Sequence, residues 1–288
     1  MASDPFVIDR GRGPTVLAVH GQPGLASDWD AVLSHLDDTH RVLAPDRPGY
    51  GLSGGDPVGM VDNAEILADL LVERHAAPAI VMGHSYGGGI AILLAALHPE
   101  LVSGLVLVGS VGRADSVGTI DHILALPWAG EALTAAGLLA FGRVLPRLRG
   151  LAGHAPGSRL AWLEASLPDR HYMEVASRFG RQIWRSFVFE QRALMREIGE
   201  VEAALALVRA PAVVMSGTWD VIVPASVAAS VAGALVGSEL VIVARAGHFI
   251  PRDHPQLVAD AVLRVQAKVP GAWQPDPSGW DEVDDAGA

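Results

Sequence analysis

The chain has 288 residues, half of them hydrophobic, and a formal net charge of −11 at pH 7. That is enough for one large domain with an insertion, or for two modest domains. The acidic balance argues against nucleic acid or an anionic membrane as partner, since both need a basic face. The lack of cysteine removes disulfides, a thiolate nucleophile and cysteine metal ligands, and the single lysine, Lys268, leaves no basis for Schiff-base chemistry, a Ser-Lys pair or a phosphate-loop lysine.

The opening "MASDPFVIDR" has no basic start followed by an apolar core, and no run approaches about 18 uninterrupted apolar residues, so a cytoplasmic protein without membrane attachment is expected. From residue 6 to about 110, short apolar runs alternate with longer helical patterns, as in a parallel βαβ sheet. "TVLAVHG", "RVLAPDR", "PAIVMGHS" and "GLVLVGS" predict buried strands; "DWDAVLSHL", "NAEILADLLVERH" and "GGGIAILLAALHP" predict helices. From Arg113 to about Arg209 the strand signal is lost and the pattern is helical, with breaks at Pro127, Pro146, Pro156, Gly157 and Pro168. Strands resume with "APAVVMSGTWD" and "ELVIVARAGH", separated by the helical "ASVAASVAGALV" and followed by "HPQLVADAVLRVQAKV". The expected organisation is a core of residues 1–112 and 206–269, a helical cap of 113–205, and a disordered tail, 270–288, rich in Pro, Gly and acid.

Chemistry enters at Gly83-His84-Ser85-Tyr86-Gly87, which closes a predicted strand and opens a predicted helix. A sharp turn there lifts a serine hydroxyl clear of the sheet, and the close approach of neighbouring chain requires small residues at 83 and 87. Serine needs a base to take its proton and a third group to hold that base in one tautomer. Asp220 and His248 each follow a predicted late strand, in the order Ser, Asp, His that this sheet topology requires. Two oxyanion donors are expected from the backbone N–H groups of Tyr86, after the serine, and Gln22, in the "HGQPG" turn.

Rival assignments are weaker. His20 and His84 flank the motifs and are read as structural; His254 is the alternative base and Asp115 the alternative acid, while Asp46 in "DRPGYG" suits a turn-stabilising role. No HExxH or similar spacing suggests a metal, and neither metal nor cofactor is expected. The 113–205 segment holds Trp128, Phe141, Trp162, Tyr172, Phe179, Trp184, Phe187 and Phe189; most are expected to pack the cap and a few to line an apolar pocket. Arg178, Arg181 and Arg185 share a helical face, read mainly as solvated, with a substrate carboxylate as the alternative partner.

"HGQPG", "DRPGYGLS", "GHSYGGG", "GTWDVIVP" and "GHFIPRDHP", in that order, resemble the α/β-hydrolase family over about residues 6 to 269. The resemblance implies an α/β fold with a mostly parallel sheet flanked by helices and a helical cap between the family's sixth and seventh strands. It also implies that the family's first edge strand is missing here, leaving "FVIDR" as the first. Epoxide hydrolases and haloalkane dehalogenases of the family carry aspartate at the position of Ser85. Serine there implies acyl-enzyme chemistry, foremost a carboxylesterase acting on a small to medium apolar ester. The alternatives are C–C bond hydrolysis, lactonase, amidase or perhydrolase activity on the same residues, or a non-catalytic ligand receptor.

Overall fold

The apolar runs become strands, and the central ones are buried on both faces. In the computed structural model, which describes residues 5–143 and 170–269 (side chains of 5–137 and 180–269), they form seven strands. These are β1 (Val7–Gly11), β2 (Thr15–Val19), β3 (Arg41–Pro45), β4 (Ala79–His84), β5 (Val102–Val108), β6 (Ala212–Gly217) and β7 (Glu239–Val243). They lie in one sheet in the order β1-β3-β2-β4-β5-β6-β7. Edge strand β1 runs antiparallel to β3, and every other neighbouring pair is parallel. The predicted tail and the predicted breaks at 146, 156, 157 and 168 lie outside the described residues.

Alternation along the strands divides the core in two. Leu17, Val81, Leu105 and Val214 face α2 (Met60–Glu73), α3 (Tyr86–Leu97) and α7 (Ala225–Ala234). Val16, Ile80, Val106 and Val213 face Trp29, α8 (Ile250–Asp253) and α9 (Pro255–Gln266). Burial on both faces is why these strands are continuous apolar runs rather than polar–apolar alternations. The helix predicted over "DWDAVLSHL" is shorter than its periodicity suggests. A 3-10 turn, Ala26–Trp29, leads into the single turn α1 (Asp30–Leu33), after which bonds such as His35 N–H to Val32 O and Leu36 N–H to Leu33 O tighten the chain into turns.

Between β5 and β6 the chain leaves the sheet to form the cap: α4 (Thr119–Ala125), α5 (Ala129–Arg143) and the 35-residue α6 (Arg170–Ala204). In the family's strand numbering expected from the sequence, β5 and β6 are the sixth and seventh strands. The break at Pro127 separates α4 from α5. Helix α6 packs on α4 and α5 and, below them, on α3, which sets the cap over the C-terminal ends of the central strands. In open parallel sheets this is the edge at which ligands bind. Among the described residues no helix is long and apolar enough to cross a membrane.

Candidate active site

Strand β4 ends at His84 and α3 begins at Tyr86; between them Ser85 adopts φ 54°, ψ −120°. A side-chain-bearing residue rarely occupies that region, and it persists where surrounding bonds over-determine it. Here the Ser85 N–H donates to Val108 O at 3.0 Å, while its carbonyl accepts from Gly88 N–H at 3.0 Å and Val111 N–H at 3.2 Å. The small residues serve the close approach: a Cβ on Gly87 would overlap the Val19 and His20 carbonyl oxygens, and one on Gly83 would overlap the Gly87 carbonyl. The N-terminus of α3, with its positive dipole end, starts directly at the serine.

Asp220 follows β6 and is held by its own turn, its Oδ1 accepting the N–H groups of Ile222 and Val223 at 2.9 Å each. Its Oδ2 stands 2.8 Å from Nδ1 of His248, which follows β7, and both side chains are buried. A carboxylate accepts, so Nδ1 carries the proton and Nε2 is the basic nitrogen. Ser85, His248, Gln22 and Tyr86 line one cavity of about 890 Å³ beneath the cap. The rival residues fall elsewhere. Asp115 is exposed on a 3-10 turn, and His254 is the N-cap of α9. Asp46 braces a turn, Oδ1 and Oδ2 each accepting a backbone N–H, from Ala26 and Leu52, at 2.8 Å.

The remaining wall is largely apolar and includes Val111, Leu124, Ile183, Phe187, Leu194 and Val223. Of the cap aromatics, Phe187 lines the cavity, whereas Trp128 is 87% exposed and Trp184 Nε1 donates to Glu131 O at 3.1 Å. Phe141, Trp162, Tyr172 and Phe179 lie outside the described side chains. Arg185 pairs with Asp56 on the surface and Arg181 is exposed; Arg178 is again outside the described side chains.

A sequence model of the Alpha/beta hydrolase family matches residues 16–261. The chain belongs to the alpha/beta hydrolase family. Several relatives are similar over most of its length, among them an esterase and a hydrolase. The 2-hydroxymuconate semialdehyde hydrolase of Pseudomonas sp. (strain CF600) is 27% identical, covering 88% of this chain and 87% of its own. The pimeloyl-[acyl-carrier protein] methyl ester esterase of Nitrosomonas europaea is 30% identical, covering 83% and 90%. Among solved structures, an ancestral haloalkane dehalogenase superposes with a TM-score of 0.72 at 21% identity, covering 93% of this chain and 98% of its own, which shows the shared fold.

Two features of this alpha/beta hydrolase were not legible as site elements. His84 shares the cavity wall, its Nε2 donating to the His248 carbonyl at 3.0 Å with the two rings 4.7 Å apart. Burial, then repulsion from His248, lowers its pKa to about 3, so it is neutral beside the serine. The other feature is an ion pair between core and cap. The fully buried Arg47, from "DRPGYG", meets Glu190 of α6, and Tyr50 donates its hydroxyl to Glu190 Oε2 at 2.7 Å. Burial works against the guanidinium but is outweighed by the carboxylate, so Arg47 stays charged. Its guanidinium lies against the rings of Tyr50 and Tyr86, at 5.0 and 5.1 Å, which gives the Tyr86 side chain its place.

Proposed function

We propose that this alpha/beta hydrolase is a serine hydrolase that cleaves small to medium, largely apolar carboxylic esters through an acyl-enzyme on Ser85. The observation that carries the reading is Ser85 at positive φ on the floor of the cavity that His248 also lines, with Asp220 bonded to the far nitrogen of that histidine. Ser85 Oγ attacks the ester carbonyl while His248 Nε2 takes its proton; Asp220 orients and stabilises the imidazolium. The N–H groups of Gln22 and Tyr86 receive the oxyanion. The intermediate collapses, the alcohol leaves with the proton from His248, and water repeats the sequence to release the acid. The apolar wall suits the acyl or alkyl part of the substrate.

Similarity to a methyl ester esterase supports the ester reading. Similarity to 2-hydroxymuconate semialdehyde hydrolase favours one second reading, hydrolysis of a C–C bond beside a carbonyl on the same residues. Aryl esters of graded acyl length test the first reading. Multiple turnovers are expected, with Ser85→Ala lowering kcat by roughly 10⁴-fold or more and abolishing labelling by an organophosphonate probe. Normal labelling of Ser85→Ala would overturn the nucleophile. Turnover of a vinylogous diketone with none of any ester would replace the first reading by the second.

A further inference from the structure

The Arg47–Glu190 pair bears on chemistry as well as on docking the cap. The Arg47 guanidinium donates from Nε to the His20 carbonyl at 3.2 Å and from a terminal nitrogen to the Gly21 carbonyl at 2.9 Å. The Arg47 backbone N–H donates to His20 Nε2 at 3.0 Å, which leaves the ring proton on Nδ1, and that Nδ1 lies 2.9 Å from the Gly21 carbonyl as well. Burial, with the Arg47 charge adding to it, holds the His20 pKa well below the usual histidine value, which suits this neutral tautomer. The Gly21 carbonyl therefore accepts two hydrogen bonds, one from a cation.

That carbonyl belongs to the same peptide group as the Gln22 N–H. The bond is trans, so the C=O and N–H lie in one plane and point in opposite directions: the C=O into the buried pair, the N–H away from it. Gln22 lines the cavity, and the loop lies close to the serine, since a Cβ on Gly21 would stand 3.2 Å from Ser85 Cβ. Two donors on the oxygen fix the plane's rotation, and the positive charge polarises the peptide, making its N–H a stronger donor. The Glu190 carboxylate holds the guanidinium fork in place from α6, while Gln22 Nε2 donates to Phe187 O of the same helix at 2.9 Å.

We propose that Arg47, held by Glu190 of the cap, is a positioning residue that orients and polarises the Gly21–Gln22 peptide as an oxyanion donor, so that seating of the cap and strength of the oxyanion hole are coupled. This rests on the serine hydrolase reading above. It requires that losing the clamp weaken the transition state more than the ground state.

The test is Arg47→Met/Glu190→Met, which removes the clamp without leaving either charge buried alone. The expected result is a parent-like circular dichroism spectrum, kcat on an aryl ester lowered about 10- to 100-fold and KM within about threefold. Affinity for a trifluoromethyl ketone, which forms an oxyanion on the serine, should fall in proportion to kcat/KM. If the double variant does not fold, Arg47→Lys decides. Its ammonium still pairs with Glu190 but lacks the fork that spans two carbonyls, and the same pattern is expected at about 10-fold. Unchanged kcat and ketone affinity in a folded variant would overturn the proposal, as would a KM rise at constant kcat, which is the mark of cap docking alone. Failure of the parent to turn over esters or bind the ketone would count against the serine hydrolase reading itself.

Discussion

Gly109, the last glycine of "GLVLVGS", reads in sequence only as the end of a strand, yet its backbone has φ 51° and faces the acid–histidine pair. A Cβ there would stand 3.2 Å from His248 Nδ1 and 3.3 Å from Asp220 Oδ2, so the residue is the space into which those side chains are fitted. Gly109→Ala is expected to cost about 1–2 kcal/mol for the left-handed conformation. On the serine hydrolase reading it should also lower kcat roughly tenfold by moving His248 a few tenths of an ångström; denaturant titration and steady-state kinetics measure the two effects, and an unaltered kcat would argue against this packing. His84 carries a second consequence at this scale. The unfolded chain takes up a proton on this ring near pH 6.5 that the folded protein refuses until about pH 3. Its contribution to stability is therefore complete above pH 6.5 and lost as pH falls toward 3, at about 1.4 kcal/mol per pH unit below roughly pH 6. Between pH 7 and pH 5 the parent should lose about 2 kcal/mol more than His84→Gln in urea unfolding; equal losses would show that the ring is protonated when folded.

Helix α6 is tied to the core and to the chain that leaves β5 by a series of carboxylates. Glu190 meets Arg47; Glu202 pairs with Arg113 at 3.0 Å and accepts the Ala114 N–H at 2.9 Å. Glu197 reaches the start of α2, whose N-cap, Gly59, has no side chain to offer, and accepts the Met60 N–H at 2.5 Å. An N-cap is thus supplied from another helix, and the carboxylate also complements the positive end of the α2 dipole. Glu197→Ala should destabilise the protein by about 1 kcal/mol and Glu197→Gln by less, seen as a lower urea midpoint at unchanged slope. A null effect of the alanine would mean that water replaces the cap without cost. That a helical insertion stands here was legible from the loss of the strand signal after Arg113. The docking was not, because Glu190, Glu197 and Glu202 look like the solvated face of any amphipathic helix, and their partners lie more than 80 positions earlier in the chain.

Across the whole molecule, the candidate site was legible where its residues sit near strand ends. Ser85, Asp220, His248 and the Gln22 turn each directly follow an apolar run, and a parallel sheet brings such ends to one edge. Arg47 is not legible because "DRPGYG" is accounted for by its turn, and a charged side chain becomes a core residue only when a partner arrives from a distant element. The cavity that results is walled by Val111 and Val223 and, from the cap, by Leu124 and Leu194. Each methylene transferred from water to such a wall gains about 0.8 kcal/mol, close to a fourfold gain in kcat/KM. On the ester reading, kcat/KM for aryl esters should climb by about that factor per acyl carbon until the space is filled. Leu124 lies on α4 of the cap, a different element from those that carry Ser85, Asp220 and His248, and Leu124→Trp fills part of the volume. Its kcat/KM for an acetate ester should stay within about twofold of the parent, while that for a hexanoate ester falls tenfold or more, reversing the gain of two or more methylenes. A flat series in the parent, or equal losses on both esters in the variant, would mean that the acyl chain binds elsewhere.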